Sequence, residues 1–538
     1  MTLEQLVEKM RESGATDDEI ADEVESLALL ARMRTFHRLT LYHFLQLISA
    51  LLARMRTFHP EMLPSFDDVT CAKLFSDTFA DKLRFCSTAA SYYFYDGARW
   101  RLDEANIRAA RCAKSFAVLL VKLGNEQTSL ENQKRFFQAA NKYTSLHSRE
   151  TLLRDARDVH AFSRADLDSN DDLFNVENGT LNLATGEFYQ HRASDLLSKV
   201  ANVTYDATAR SADFEKFISE IMQADVEKAK YLQKVCGLSL TADTSNEQCW
   251  LLYGASTRNG KSTLVETISH VLASYATAAL PETLAQRKNK DTRNASGDIA
   301  RLDGARLVVM SEPPRRMLFD VALLKTLLGR DKITARQLYE REFSFVPKFK
   351  LLINTNSLPL VNDNTLFQSG RVVVVPFERH FEPAEQDKTL KTRLQSIENA
   401  SGILNWLLDG LRLYRAEGLK QPPSIVQATN EYAKSSDKIG LFISECLHPC
   451  KQNCAASAVY NLYANWCDEN GFGTENKRNF FDELSARKLL VAAATVNGRT
   501  VRNAIRGYAI LSNSPRLAGV DTDAEIEAAE SGLEEFSA

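Results

Sequence analysis

Apolar positions along this chain recur at two periods, and the period changes several times. Between Ala28 and His59 the spacing is helical. Leu29, Leu30, Met33 and Phe36 fall on one side of a helix, and the ten residues ALLARMRTFH occur at Ala28–His37 and again at Ala50–His59. An offset of 22 residues is close to six helical turns, so both copies present the same face with its two arginines, until Pro60 ends the second copy. The repeat reads as a locally duplicated packing helix or as a basic docking helix. Residues 60–200 mix helical spacing with short β segments. Tyr92–Asp103 (YYFYDGARWRLD) carries a turn at Asp96–Gly97, and Leu173–Tyr189 (LFNVENGTLNLATGEFY) carries turns at Asn178–Gly179 and Thr185–Gly186. Residues 212–240 are helical. From 248 to 378 apolar strands alternate with helices, the order of an α/β unit. Residues 395–435 return to helix, with Pro422–Pro423 as a joint. Residues 440–512 predict helices followed by two short β runs, around Asn497–Gly498 and Gly507, which suits a small winged-helix-like module.

Composition narrows the class. At 538 residues, 44% hydrophobic and 25% charged, the chain is of ordinary globular make-up, which excludes a collagen-like or wholly disordered protein. Its length predicts three or four domains of roughly 150 residues. The net charge of −4 speaks against nucleic acid only until its distribution is read. Residues 1–27 hold nine acids and two bases, and residues 513–538 hold seven acids and Arg516. These ends carry −7 and −6, which leaves +9 on residues 28–512. The acidic end reads as a disordered tail. No run of eighteen apolar residues predicts a membrane span, and the acidic start does not resemble a secretory signal. Nine scattered cysteines predict reduced thiols in a cytoplasmic protein. Cys446, His448, Cys450, Cys454 and Cys467 are close enough in sequence for a zinc site, although their spacing matches no pair of Cys-x2-Cys knuckles. Buried helical thiols are the other reading.

The chemistry concentrates at Cys249–Thr263 (CWLLYGASTRNGKST). An apolar run ends at Gly254, a polar loop follows through Ala255, Ser256, Thr257, Arg258 and Asn259, and Gly260–Lys261–Ser262–Thr263 opens an apolar helix. This is the context of a phosphate loop, in which backbone N–H groups cradle phosphate oxygens. Lys261 would neutralise the β- and γ-phosphates, and the Ser262 hydroxyl would ligate Mg²⁺. Five residues separate Gly254 from Gly260 where the usual pattern has four, so Ala255 occupies the ordinary glycine slot. Next, Arg306–Met310 predicts a strand ending at Ser311–Glu312. Glu312 would be the general base and would reach the metal through water, with Ser311 at the usual aspartate position. Phe349–Asn356 predicts a buried strand whose terminal Asn356 can orient water near a γ-phosphate. Arg371, just before the strand of FQSGRVVVVPF, reads as a surface charge or as an arginine finger reaching a neighbouring subunit.

Lys261, Glu312, Asn356 and Arg371, in this order and within 111 residues, resemble the array of superfamily 3 helicases, and most closely the phage/plasmid primase-helicase family related to poxvirus primase-helicases. Leu324–Tyr339 (LKTLLGRDKITARQLY), Thr355–Pro359 (TNSLP), Asn175–Tyr189, Tyr92–Asp103 and Tyr463–Gly471 (YANWCDENG) resemble further segments of that family, and the likeness covers about residues 75–512. It implies a multi-domain α/β protein with an AAA+-like P-loop ATPase core. The expected layout is a helical extension (1–70), a helical-plus-β domain (71–210), the ATPase core with collar helices at its start (211–395), a helical linker with a winged-helix-like domain (396–512) and the tail (513–538). The resemblance implies ATP and Mg²⁺, a ring of identical subunits that is usually hexameric, and movement on single-stranded or forked DNA. It implies replication of a phage, plasmid or mobile element in a bacterial cytoplasm, without membrane contact. Family members often carry a primase domain. The roughly 70 residues ahead of the matched region are too few for one, so primase activity would be absent or would come from a separate primase or other replication protein as partner. The family's channel hairpin corresponds to Ile333–Lys350, where Arg336, Arg341, Lys348 and Lys350 would meet phosphates and Tyr339 would stack on a base. Two competing readings are a P-loop enzyme indifferent to DNA, such as a kinase, and an origin-recognition or scaffold protein that binds nucleotide with weak or no helicase activity.

Overall fold

The computed structural model describes residues 66–286, 297–315, 317–336, 342–361, 363, 365–470 and 472–511. The repeated ALLARMRTFH segment, the N-terminal extension and the acidic tail lie outside them. The chain divides into two compact units, with the boundary between Val200 and Ala201.

The first unit starts with helix Asp68–Phe79, whose first turn is capped by the Asp67 carboxylate accepting from Thr70 N–H at 2.7 Å. A meander of three antiparallel strands follows, Leu83–Cys86, Ser91–Tyr95 and Trp100–Leu102. Asp96 Oδ1 accepts from the N–H groups of Ala98 and Arg99, which closes the expected turn. Helices Ile107–Glu126, Leu130–Lys142 and Leu146–Asp155 bury Phe75, Phe116, Leu120 and Tyr143 in one core. A second meander holds Leu173–Val176, Gly179–Asn182 and Phe188–Tyr189. Here the turn is Glu177–Asn178, one residue earlier than the sequence reading. Gly179 already pairs with Val176, and a Cβ on it would fall 2.6 Å from the Phe188 ring, so its glycine serves close packing and not the turn.

In the second unit, helices α1 (Ala212–Ile221) and α2 (Val226–Leu238) lead to strand β1 (Cys249–Tyr253) and helix α3 (Lys261–Leu272). Strands β2 (Ala276–Ala279), β3 (Leu307–Ser311), β4 (Lys350–Thr355) and β5 (Val372–Pro376) complete one parallel sheet in the order β5-β1-β4-β3-β2. The central strands read as unbroken apolar runs because a parallel sheet is covered on both faces. Leu251, Leu252, Val308, Ile353 and Val374 are all buried. Helix α4 (Ile397–Glu417) crosses α2 at a glycine contact, and helix α5 (Pro423–Ser436) lies along β5, where Thr429 Oγ1 accepts from Val374 N–H at 3.0 Å. A Cβ on Gly410 would sit 2.2 Å from the Gln233 carbonyl oxygen, and one on Gly237 would sit 2.4 Å from Leu411 N. Neither neighbour is a flexible side chain. Gly410→Ala is therefore expected to destabilise the protein by about 1–3 kcal/mol, seen as a lower denaturation midpoint.

Residues 437–511 run helix (Lys438–Cys446), strand (Leu447–Ala455), helix (Ala456–Asn470), helix (Lys477–Ala486), then strands Leu490–Val496 and Arg499–Ile510, with the last strand central in a three-stranded antiparallel sheet. Asn497–Gly498 forms the two-residue hairpin turn, both residues at positive φ. Gly507 does not separate two strands. It lies inside the continuous strand Arg499–Ile510 at φ 79°, opposite the bulge between Pro449 and Asn453. Cys446, Cys454 and Cys467 pack with Phe442, Tyr463, Trp466 and Phe480 in the core of this module. Burial pushes the Cys454 thiol up to about 12. Among the described residues, no group of three or more His, Cys, Asp or Glu side chains is arranged to hold a metal. Likewise no described helix is long and apolar enough to cross a membrane.

Candidate functional site

In a parallel sheet every strand delivers its carboxyl end to the same edge, and ligand sites of open α/β sheets lie there. At this edge the loop 254–260 leaves β1, Ser311 and Glu312 leave β3, and Thr355 and Asn356 leave β4.

Glycine is required at both ends of the loop. A Cβ on Gly254 would meet Asn259 Nδ2 at 2.1 Å and the Phe377 carbonyl oxygen at 2.7 Å. Gly260 lies at φ 82° with Ile221 of α1 only 2.4 Å from where its Cβ would be. The loop is braced internally and from the side. Asn259 Nδ2 donates to Ser256 O at 2.7 Å, and Phe381 N–H donates to Arg258 O at 2.9 Å. Thr257 O lies 2.8 Å from His380 Nδ1. Arg258 holds φ 57°, a conformation that costs a non-glycine residue energy and that these braces enforce.

Helix α3 starts at Gly260 without a side-chain cap, so its first-turn N–H groups and the positive end of its dipole face the edge. Lys261 points into it. The side chain is buried, and Nζ donates to Asn259 Oδ1 at 2.8 Å and to Asn356 Oδ1 at 2.7 Å. Burial lowers its pKa to about 8, and the Glu312 charge acts in the opposite direction. Two neutral amide oxygens thus hold a cation that lacks a full counter-charge. Glu312 is exposed at the end of β3 at φ 51°, and its N–H donates to Asn354 O at 2.8 Å. Asn354 Nδ2 in turn donates to Ser262 Oγ at 3.1 Å, leaving that exposed hydroxyl aligned at the helix start. The ensemble can receive an anion on α3 and Lys261 and can deprotonate water at Glu312.

Residues 72–223 match the family described as D5 N terminal like, and residues 252–371 match a family of unknown function, DUF5906. The chain is 27% identical over 330 residues to "Putative helicase L207/L206" of Acanthamoeba polyphaga mimivirus, covering 57% of this chain and 34% of that protein. It is 27% identical over 271 residues to "Putative helicase 022R" of Frog virus 3, covering 46% of this chain and 27% of that one. The chain is thus similar over residues 72–223 to the D5 N-terminal-like family, and over about half its length to viral proteins named as helicases. It spans about a third of the length of these curated relatives. Among solved structures, the NrS-1 C terminal region in its apo form aligns with a TM-score of 0.44 at 11% identity, over 79% of this chain and 96% of that chain. Both curated relatives are proteins of eukaryotic viruses, which is not the bacterial setting expected from the sequence.

In the structure, the sequence-predicted residues fall into three groups. Lys261, Ser262, Glu312 and Asn356 meet at the sheet edge with the loop residues Gly254 to Thr263. Arg371 lies elsewhere. It precedes β5 at the end level with Cys249, five strand rises or roughly 17 Å from the loop of its own chain. There it is ion-paired with Glu247, and its Nη1 donates to Lys325 O at 3.3 Å. The expected hairpin exists as Ile333–Ala335 paired with Phe343–Phe345, while Tyr339 and Arg341 lie outside the described residues. Arg336 and Lys348 flank the hairpin, both half-buried. Lys350 is a correction. It is the first residue of β4 and is buried, with Nζ donating to the carbonyl of Thr241, so it is turned into the protein and away from any nucleic acid. Asn354 and Glu247 were not singled out from sequence. Asn354 stands in the predicted strand Phe349–Asn356 (FKLLINTN), but only pairing with β3 and proximity to α3 give it partners. Nothing in the sequence marks Glu247 as the mate of a residue 124 positions away.

Proposed function

We propose that this chain is an ATP-hydrolysing motor of viral or mobile-element DNA replication that works as a ring on single-stranded DNA. The observation that carries this reading is the convergence of Lys261, Ser262, Glu312, Asn354 and Asn356 at the carboxyl edge of one parallel sheet. The triphosphate would lie over the start of α3, with Lys261 moving from its two asparagine oxygens onto phosphate. Glu312 would take the proton of the attacking water, and Asn356, freed from Lys261, would orient that water. The Ser262 hydroxyl, with Glu312 through water, would hold Mg²⁺, which supplies charge neutralisation on the phosphates. Arg371 cannot reach the loop of its own chain, so its part in turnover requires a neighbouring subunit. The strand pair around residues 333–345 would follow DNA. Residues 437–511, in the helix and strand order of a winged-helix module, would contact the duplex ahead of the fork. The test is ATP turnover with and without single-stranded DNA, together with unwinding of a forked duplex. Turnover indifferent to DNA and absence of unwinding would reject the proposal.

A second reading has one observation in its favour. Ser311 stands exposed where an acidic metal partner would be, so nucleotide could be held without turnover by a scaffold or origin-recognition protein. Tight nucleotide binding with no phosphate release would identify that case.

The depressed pKa of Lys261 gives a pH signature. The lysine is charged below about 8 and loses its proton as pH rises through that value. Phosphate favours the charged form, so nucleotide affinity is expected to fall between pH 7 and 9, and binding at pH 8 should take up as much as half a proton. Calorimetry in two buffers of different ionisation enthalpy measures this uptake, and Lys261→Ala should remove it.

A further inference from the structure

The first unit carries a surface that the motor reading leaves unused. Its first meander pairs Leu83 with Phe94 and Phe85 with Tyr92. Phe85 and Phe94 therefore stand on one face at diagonal positions, about 7–8 Å apart. Both rings are only partly buried, at the rim of the core. Each lies under a guanidinium. Arg157 Cζ is 4.9 Å from the Phe85 ring centre, while Arg108 and Arg101 are 5.0 and 5.9 Å from that of Phe94. Arg101 sits directly across from Phe94 in the sheet. Arg101, Arg108, Arg111 and Arg157 are all exposed.

Two of the nearby carboxylates are engaged mainly elsewhere. Asp103 is buried, and its two oxygens accept from Arg108 N–H at 2.9 Å and Ala109 N–H at 2.7 Å, which ties it to the start of helix Ile107–Glu126. Asp96 comes only within 3.9 Å of Arg101. Over residues 99–122 there are six cations and two acids. Leu102 (47% exposed) and Ile107 (54%) add apolar surface alongside. Rings and guanidinium planes offer flat partners for unpaired bases, and cations between them offer partners for phosphates. A duplex hides its base faces and does not use such a surface well.

We propose that this rim is a binding surface for single-stranded polynucleotide, with bases stacking at Phe85 and Phe94 and phosphates meeting Arg101, Arg108, Arg111 and Arg157. It goes beyond the motor reading, because it places a second nucleic-acid contact on the D5 N-terminal-like part of the chain, outside the ATPase core.

The experiment uses the full chain without nucleotide and a fluorescent oligo-dT of about 20 nucleotides, followed by anisotropy between roughly 50 and 200 mM salt. Arg101→Ala with Arg108→Ala is expected to weaken binding about tenfold or more and to flatten the logarithmic salt slope by about 1.4, the value for two lost phosphate contacts. Arg108→Lys alone should keep the wild-type slope and lose part of the affinity, since an ammonium does not stack. In the unaltered chain, a bromodeoxyuridine oligonucleotide should crosslink to the Tyr93–Arg108 segment. Turnover without DNA should not change in these variants, and Lys261→Ala should leave the crosslink in place, so failure of this surface is distinguishable from failure of the motor. The proposal is overturned if the double variant binds with wild-type affinity and slope. Crosslinks found only beyond Val200, or equal competition by duplex, would overturn it as well.

Discussion

Lys261→Ala is expected to lower ATP turnover by about 10²–10³-fold while the fold stays intact. The magnitude follows from the surroundings of the lysine. Nζ lies out of water between Asn259 and Asn356, where its charge would act on phosphate oxygens with little screening. The expectation for stability has the opposite sign. A buried cation with a pKa depressed to about 8 is held at a cost to the folded protein, so its removal should leave the thermal midpoint unchanged or raise it. The pair of measurements is therefore turnover and thermal midpoint on the same preparation. Loss of both together would mean that Lys261 supports the fold, and unchanged turnover would remove it from the site.

Arg371→Ala is expected to cost about 10³–10⁵-fold in turnover if it stabilises charge on a neighbour's nucleotide. Its distance from its own loop makes a stronger test available. Mixing equal amounts of Lys261→Ala and Arg371→Ala subunits should recover activity that neither variant has alone. With random assembly, about a quarter of interfaces would join an intact loop to an intact arginine, so about a quarter of wild-type turnover is expected if sites act independently. Arg371→Ala also breaks a half-buried pair with Glu247, worth up to about 1 kcal/mol, which a small shift in thermal midpoint would report. No recovery on mixing would leave Arg371 as a structural partner of Glu247 and Lys325 only.

Much of the core was legible because burial writes itself into sequence. A strand covered on both faces must be apolar throughout, so CWLLY, LLIN and VVVV announced themselves, and the loop from Gly254 to Gly260 between strand and helix announced where the candidate site would lie. What stayed illegible depends on neighbours distant along the chain. Lys350 shows a charge in the sequence but not that it opens a buried strand and ends against the Thr241 carbonyl. Gly507 looks like a turn residue, yet it serves a bulge whose other half is near Pro449. Asn354 is one polar residue at the end of an apolar run until β3 and α3 close around it. Arg371 was visible as a candidate, but its place at the opposite end of the sheet follows only from strand register.

Strand β4 has a consequence of its own. It starts five residues after the hairpin strand Phe343–Phe345, and at its other end Asn354 holds Glu312 and Ser262 while Asn356 holds Lys261. Six residues of buried strand, about 20 Å long, join the two places with little give. If DNA displaces the hairpin, the asparagines move with it. Linkage then fixes the exchange in both directions. The factor by which single-stranded DNA alters nucleotide affinity must equal the factor by which nucleotide alters DNA affinity, and a substitution at Asn354 that weakens one coupling must weaken the other equally.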